Sequence, residues 1–263
     1  MRAKVDQELE VLAAGARELG IVLGPEQQDQ FRRYAELLLE WNKKTNLVRI
    51  KSLAELFRNH FLDSLWCAAG CAFRDGHRLL DLGSGAGFPG IPLKISFPGV
   101  RVFLLEAQRK RCAFLQEVCR ALELDACTVL AGRAEDLGRL PGLRAAFDRV
   151  VVRALARLPV ILELGLPFLL PGGLLVALKG RDVERELEEA RAALEVLGGE
   201  VARVIPYRFP GEVGRHVVTV RKVAPTPDGY PRRAGIPARR PLCGGGKKRG
   251  GFGRGGLNRG DAG

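Results

Sequence analysis

The stretch at residues 79–90 constrains the fold of this chain more than any other feature. The apolar run Leu79–Leu82 has the length of a buried strand. It leads directly into three glycines at alternate positions across Gly83–Gly87. Glycines at this density let the backbone turn sharply and approach a ligand closely. A second apolar run follows and ends at Glu106, so the chain has two neighbouring strand ends beside one glycine turn.

The ligand indicated by this pattern contains a nucleoside, because a carboxylate at such a strand end can accept hydrogen bonds from both hydroxyls of a ribose. The dinucleotide fingerprint G-x-G-x-x-G fits poorly. Counted from Gly83, Phe88 stands in place of the third glycine; counted from Gly85, the turn comes two residues late relative to the strand. The spacing of Asp81 with the glycines resembles motif I of S-adenosylmethionine (SAM) methyltransferases. A tight turn without a ligand is the alternative.

Composition excludes several classes of protein. A hydrophobic content of 46% in 263 residues is enough for one substantial core. No apolar run approaches the ~20 residues of a membrane span, and the N-terminus continues into acidic residues rather than an apolar signal region. The six cysteines form no C-x-x-C pair and no His stands at zinc spacing. We therefore expect a cytoplasmic protein with reduced thiols, no metal and no membrane contact.

The positive charge is concentrated at the C-terminus. The net charge is +12, and residues 232–263 hold nine basic residues and a single acid. From Cys243 onward the chain is rich in glycine and has almost nothing to bury, so 243–263 is predicted to be a disordered basic tail. Such an arm can bind RNA through its charge. A passive extension without a partner is the alternative.

The remainder of the chain predicts a helical section followed by an α/β domain. Helices are expected at residues 3–19 and 26–41, then a polar connector over Asn42–Lys51 and a third helix capped by Ser52 with Glu55 at the reciprocal position. Strands are expected at 78–82, 100–106, 127–131, 147–152, 173–178, 201–208 and 215–223, with helices in between. This alternation predicts a SAM-dependent methyltransferase (Rossmann-like) fold, with a mostly parallel seven-stranded sheet and an antiparallel edge strand. The predicted domains are 1–70, 71–242 and 243–263.

Residues 26–242 resemble the bacterial small-subunit ribosomal RNA guanine-N7 methyltransferases, historically called glucose-inhibited division protein B. The extension of the glycine turn to Phe88-Pro89-Gly90-Ile91-Pro92-Leu93 is much more specific than the glycines alone. The other matching stretches, in chain order, are Trp41–Leu47, His60–Leu65, Arg153-Ala154, Ala177–Gly180 and Tyr230–Pro237.

The resemblance implies methyl transfer from SAM to N7 of a guanosine in the 530 loop of 16S rRNA. It implies a cofactor site that includes Gly83, Phe88, Ala134, Glu135 and Arg153. Glu106 joins this set on the physical argument above as well. The implied partner is 16S rRNA or the assembling small ribosomal subunit, with the protein acting as a monomer. A methyltransferase acting on another RNA or on a small molecule is the alternative.

The chemistry of guanine N7 agrees with the residues present. N7 carries a lone pair and no proton, so its methylation needs orientation rather than a general base. No catalytic residue is therefore expected, apart from a possible contact of Lys179 with RNA phosphate or with the guanine. Pairing of Lys179 with a carboxylate is the alternative, as is an ordinary ion pair for Arg153. His60 is expected to be a packing or capping residue.

Overall fold

The computed structural model describes residues 2–209 and 213–243. The predicted tail thus lies outside the described residues except for Cys243. The strands are β1 Arg78–Leu82, β2 Arg101–Glu106, β3 Cys127–Ala131, β4 Phe147–Arg153, β5 Leu169–Lys179, β6 Gly199–Tyr207 and β7 Arg215–Lys222. The helices are α1 Arg2–Glu18, α2 Pro25–Thr45, α3 Leu53–Leu56, α4 Asp63–Leu65, α5 Cys67–Gly70, α6 Gly90–Ser96, α7 Arg109–Ala121, α8 Ala134–Leu137, α9 Leu158–Gly165, α10 Val183–Leu197 and α11 Ile236–Arg239.

All seven strands form one sheet in the order β3-β2-β1-β4-β5-β7-β6. The pairs from β3 to β5 are parallel, and β7 is antiparallel to both of its neighbours. The predicted fold class is confirmed. The reversed strand lies one position in from the edge, because β7 inserts between β5 and the outer strand β6. The carboxyl ends of β1 to β6 consequently face the same edge of the sheet.

The helical section before β1 differs from the prediction in three places. Helix α2 continues to Thr45, so the connector is shorter than the predicted Asn42–Lys51 segment. A π-helical stretch, Phe57–Leu62, joins α3 to α4. The Ser52 side chain accepts a hydrogen bond from the Glu55 amide, as a capping residue should, but the Glu55 carboxylate accepts from the Lys51 amide instead of the Ser52 amide.

The sheet separates two layers of apolar side chains, because successive residues of a strand point to opposite faces. Leu79 of β1 faces a cluster shared with α1, α2 and α7, whereas Leu80 faces a cluster shared with α9 and α10. The N-terminal helices therefore share a core with one face of the sheet. None of the helices among the described residues is long and apolar enough to cross a membrane. The predicted domain boundaries stay a prediction.

Candidate functional site

A cavity of about 530 Å³ opens at the carboxyl edge of the sheet. It lies over the ends of β1, β2, β3 and β4, where ligands of open α/β sheets bind. Six residues predicted from the sequence line it: Gly83, Phe88, Glu106, Ala134, Glu135 and Arg153. The structure thus brings these six together at one place. Lys179, at the end of β5, is not among the lining residues.

The glycine turn forms one wall of the cavity through backbone that only glycine adopts readily. Gly83, Gly85 and Gly87 have φ values of +74°, +59° and +97°. A Cβ atom on Gly83 would lie 2.7 Å from Cδ1 of Leu155, and one on Gly87 would lie 2.6 Å from the Tyr34 hydroxyl oxygen. The turn therefore needs glycine for its conformation and for the close approach of its neighbours.

Asp81 lies behind this turn and is fully buried. Its Oδ2 atom accepts a hydrogen bond from the Gly90 amide at 2.9 Å, while Oδ1 has no partner. Burial raises the pKa of Asp81 to about 7, against the opposing effects of the Gly90 hydrogen bond and the Arg153 charge. Asp81 is not among the residues that line the cavity, so its carboxylate supports the glycine turn from behind.

Glu106 holds the glycine turn onto the end of β2. Its Oε2 atom accepts from the Gly85 amide at 2.9 Å, and Oε1 accepts from the Gln108 amide at 2.8 Å. Arg111 lies 3.8 Å from Oε2. Each carboxylate oxygen has two acceptor positions, so the carboxylate retains capacity for further donors. The sequence predicted its place but not its hydrogen bonds to the turn.

Arg153 lies between the cavity and a buried ion-pair network. Its Nη1 donates to the Asn59 carbonyl at 2.9 Å and to Asp63 Oδ2 at 3.1 Å. The guanidinium carbon lies 4.7 Å from the centre of the Phe88 ring, a cation–π contact. The ion pair considered as the alternative for Arg153 is therefore present, but it is buried, and Arg153 also lines the cavity.

Asp63 is the centre of this network, and sequence reasoning missed it. Its Oδ1 atom accepts from Arg215 at 2.6 Å and from the Tyr207 hydroxyl at 2.8 Å. The network therefore connects α4 to β4, β6 and β7. The stretch His60–Leu65 was noticed only as a match to the family, since nothing in local spacing shows which strands will reach it.

His60 packs beside the site. Its ring stacks on Phe88 at 5.1 Å between centres, and its Nδ1 lies 2.9 Å from Nη2 of Arg153. Burial, together with the nearby Arg153 charge, lowers the pKa of His60 to about 4. The imidazole is consequently neutral at physiological pH, and its contacts agree with the predicted packing role.

Helix α8 brings the third strand end to the cavity through Ala134 and Glu135. The Glu135 Oε1 atom accepts a hydrogen bond from the Gly235 amide at 2.9 Å. The segment after β7 is therefore fixed directly behind a residue that lines the cavity. The sequence did not predict this contact, which joins residues that lie far apart in the chain.

Lys179 and Glu186 form a clamp on the loop after β4. The Lys179 ammonium lies 2.6 Å from Glu186 Oε2 and donates to the Ala156 carbonyl at 2.9 Å. The same Glu186 oxygen accepts from the Leu158 amide at 2.6 Å. Leu155, which lies in this loop, lines the cavity. The carboxylate pairing considered as the alternative for Lys179 is thus present.

The strand order, the glycine turn and the cavity at the carboxyl edge define a SAM-dependent methyltransferase fold, the class whose cofactor is S-adenosylmethionine. Residues 27–212 match the sequence profile of a family described as GidB, rRNA small subunit methyltransferase G. The chain belongs to this family.

Two relatives share the name Ribosomal RNA small subunit methyltransferase G. The protein from Alkaliphilus oremlandii is 40% identical over 234 residues, which cover 89% of this chain and 98% of the relative.

The second relative, from Chloroflexus aggregans, is 46% identical over 223 residues, which cover 85% of this chain and 93% of the relative. Among solved structures, MtNAS in complex with MTA and tNA has a TM-score of 0.50 and 18% identity, with 84% of this chain and 98% of that chain covered. At this identity the structural likeness shows the fold alone.

Proposed function

We propose that this protein transfers a methyl group from SAM to N7 of a guanosine in the 530 loop of 16S rRNA. One observation carries the proposal: a glycine-cradled cavity with Glu106 at the adjacent strand end, in a chain of the small-subunit rRNA methyltransferase G family. The partner is 16S rRNA or the assembling small subunit, in the cytoplasm. In this proposal the protein acts as a monomer.

The residues of the cavity fit the cofactor. The positive-φ glycines leave room that a Cβ atom would fill, and the Glu106 carboxylate at the next strand end lines the same cavity. We assign Gly83 and Phe88 to the wall of the site and Glu106 to the ribose hydroxyls, while Ala134 and Glu135 lie by the adenine. Arg153 closes the remaining side. SAM supplies an electrophilic methyl group when it is bound.

The protein's own contribution is orientation. Guanine N7 offers its lone pair without losing a proton, so the site needs no group to abstract one. The nearest imidazole, His60, has a lowered pKa and already contacts Arg153. Glu106 is held by two backbone amides. The rigid glycine turn and the fixed loop after β4 hold the reacting partners in line.

Mass mapping of modified nucleosides tests the proposal. Small-subunit particles and naked 16S rRNA, both from cells lacking this protein, are incubated with SAM and either the protein or its Gly83→Val variant. We expect 7-methylguanosine in one nucleotide of the 530 loop with the parent protein and none with the variant. Methylation at another atom or in another RNA would contradict the assignment. The better of the two substrates identifies the form of the RNA that the protein recognises.

A further inference from the structure

The segment after β7 returns to the cavity as a fixed strap. We define the C-terminal strap as residues 226–242. Strand β7 runs antiparallel to β5, so it ends at the edge of the sheet opposite the cavity. The Gly235 amide nevertheless bonds to Glu135 at the cavity. The strap therefore crosses from one edge of the domain to the other.

Two arginines from the loop before β4 hold the strap through its carbonyl groups. Arg144 donates to the Thr226 and Tyr230 carbonyls, each at 2.7 Å. Arg139 donates to the Pro231 carbonyl at 2.5 Å. Carbonyls bound to guanidinium groups have a defined position, so the strap is part of the folded domain.

A third arginine anchors the strap from within. Arg232 donates through Nε and Nη2 to both oxygens of Glu163, at 2.8 and 2.6 Å. The Glu163 side chain is 0% exposed. Removing either partner would leave a buried charge uncompensated. The paired geometry fixes the strap within a few residues of Gly235, and hence beside the cavity.

Within the described part of the chain, the remaining arginines of the strap form no ion pair that anchors it. Arg233, Arg239 and Arg240 are exposed, and no salt bridge to them occurs among residues 2–209 and 213–243. Helix α11 begins directly after Gly235, so the last two lie about one to two helical turns from the cavity residue Glu135. The one acidic residue of the strap, Asp228, lies 3.8 Å from Arg144. Three uncompensated charges thus lie on a rigid segment next to the cavity.

We propose that the C-terminal strap is a docking surface for the phosphate backbone of the RNA substrate, with Arg233, Arg239 and Arg240 as the contacts. The inference rests on the proposed function and adds the place where the RNA lies. Guanidinium groups match phosphate in charge and in fork geometry. Exposed Arg133, just before α8, extends the surface toward the cavity. The surface positions the RNA, and the cavity selects the nucleotide.

A matched pair of triple variants tests the strap. One variant replaces Arg233, Arg239 and Arg240 with alanine. The control replaces three exposed arginines of the opposite edge, Arg74, Arg101 and Arg221, and so removes the same charge. Binding of a 16S rRNA transcript is measured against salt concentration with the full chain, beside SAM affinity and the methylation rate at saturating RNA.

We expect the strap variant to bind RNA at least tenfold more weakly at 0.15 M salt. Each lost phosphate contact should reduce the salt slope by about 0.7–0.9. SAM affinity and the saturated rate should stay within twofold of the parent, and replacement of the same arginines by lysine should restore most of the affinity. The control should retain RNA affinity. The slope of its RNA binding against salt concentration should change by less than the about 0.7–0.9 that one phosphate contact contributes.

Equal RNA affinity in the two triple variants would overturn the strap. Loss of binding to phosphatidylserine vesicles without loss of RNA binding would assign the surface to a membrane and also overturn it. A parent protein that neither binds nor methylates 16S rRNA would instead refute the proposed function. The last result is read from the parent alone, so the two failures are distinguishable.

Discussion

The two halves of the cavity are built on different principles. In the β1–β2 half, the wall of the cavity is the glycine turn, whose glycines have positive φ and whose Gly85 amide is fastened to Glu106 by a hydrogen bond. In the second half, at the ends of β4 and β5, Arg153 lines the cavity and Lys179 lies outside its lining, and both are engaged with carboxylates of other elements. The first half depends on residues close together in sequence, and the second depends on tertiary pairing.

This difference separates what each half contributes. The glycine turn provides shape and therefore tolerates no added side chain. The ion-paired half provides stiffness, because Asp63 and Glu186 tie the strand ends to neighbouring helices. Substitutions in the first half should reduce cofactor binding, with a smaller loss of stability than substitutions in the second half. Substitutions in the second half should reduce stability first.

The largest effect is expected for Asp63→Ala. It leaves Arg153 and Arg215 without their carboxylate in a nearly buried position, which should lower the free energy of unfolding by about 3–5 kcal/mol. Asp6→Ala, which breaks a half-buried pair with Arg32 but leaves Arg32 paired with Asp29, should cost less than about 1 kcal/mol. Urea unfolding measures both. Similar losses for the two variants would show that the Asp63 network stabilises the second half no more than an ordinary ion pair would.

Gly83→Val should abolish SAM binding, with an affinity loss of at least about a hundredfold, or about 2.7 kcal/mol. The added side chain enters a φ of +74° and meets Leu155 at the cavity wall. Gly76→Val is the control, because Gly76 has a φ of +80° and nothing within 4 Å of its Cβ position. Gly76→Val should lose about 1–2 kcal/mol of stability from its backbone conformation alone, and Gly83→Val should lose more because of the contact with Leu155. Calorimetry showing SAM binding to the Gly83 variant would contradict the assigned site.

Lys179→Met tests whether the clamp or an RNA contact is the role of this lysine. As a clamp, its removal should lower the free energy of unfolding by about 2 kcal/mol, below the range for fully buried pairs because some solvent contact remains. Glu186→Gln should then have a similar effect. An RNA affinity reduced tenfold by the lysine substitution alone, with stability unchanged, would instead support the RNA contact predicted from the sequence.

The sequence predicted the first half better than the second for a physical reason. A strand, a glycine turn and a carboxylate at the next strand end are local patterns, and the three residues predicted from them, Gly83, Phe88 and Glu106, meet at the cavity. The partners of Arg153 and Lys179 come from α4 and α10, and local spacing does not specify which carboxylate will reach them. Asp63 was missed for this reason, as was the amide of Gly235 behind Glu135.

Glu106→Gln should weaken SAM binding about tenfold, or about 1.4 kcal/mol, because hydrogen bonds to a charged group lose their ionic part. The amide oxygen can still accept from the Gly85 amide, so the turn should keep its place, while the contact with the Gln108 amide is lost because the side-chain NH2 group is a donor. Glu117→Gln on the exposed face of α7, where the carboxylate pairs with Arg120, should leave SAM affinity unchanged. An unchanged affinity in the Glu106 variant would exclude the ribose role.

The smallest effect is expected from pH, and it depends on Asp81. Its pKa of about 7 means that the carboxylate gains a proton as the pH falls from 8 to 6. Loss of this negative charge behind the turn should weaken binding of the cationic SAM a few-fold. The saturated methyl-transfer rate should stay flat between pH 7.5 and 9, because the site needs no base and His60, with a pKa of about 4, does not titrate there.

Asp81→Asn separates this effect from every other titration. The amide oxygen can accept from Gly90, and the variant's SAM affinity should no longer change between pH 6 and 8. The folded-state pKa of Asp81 lies above its ordinary value, so the folded protein holds the extra proton between about pH 4 and 7. The contribution of the Asp81 proton to the free energy of unfolding therefore falls as the pH rises through that window. The Asp81→Asn variant should lack this pH dependence of stability. A rate that rises tenfold per pH unit above 7.5 in either protein would reveal a proton-abstracting group.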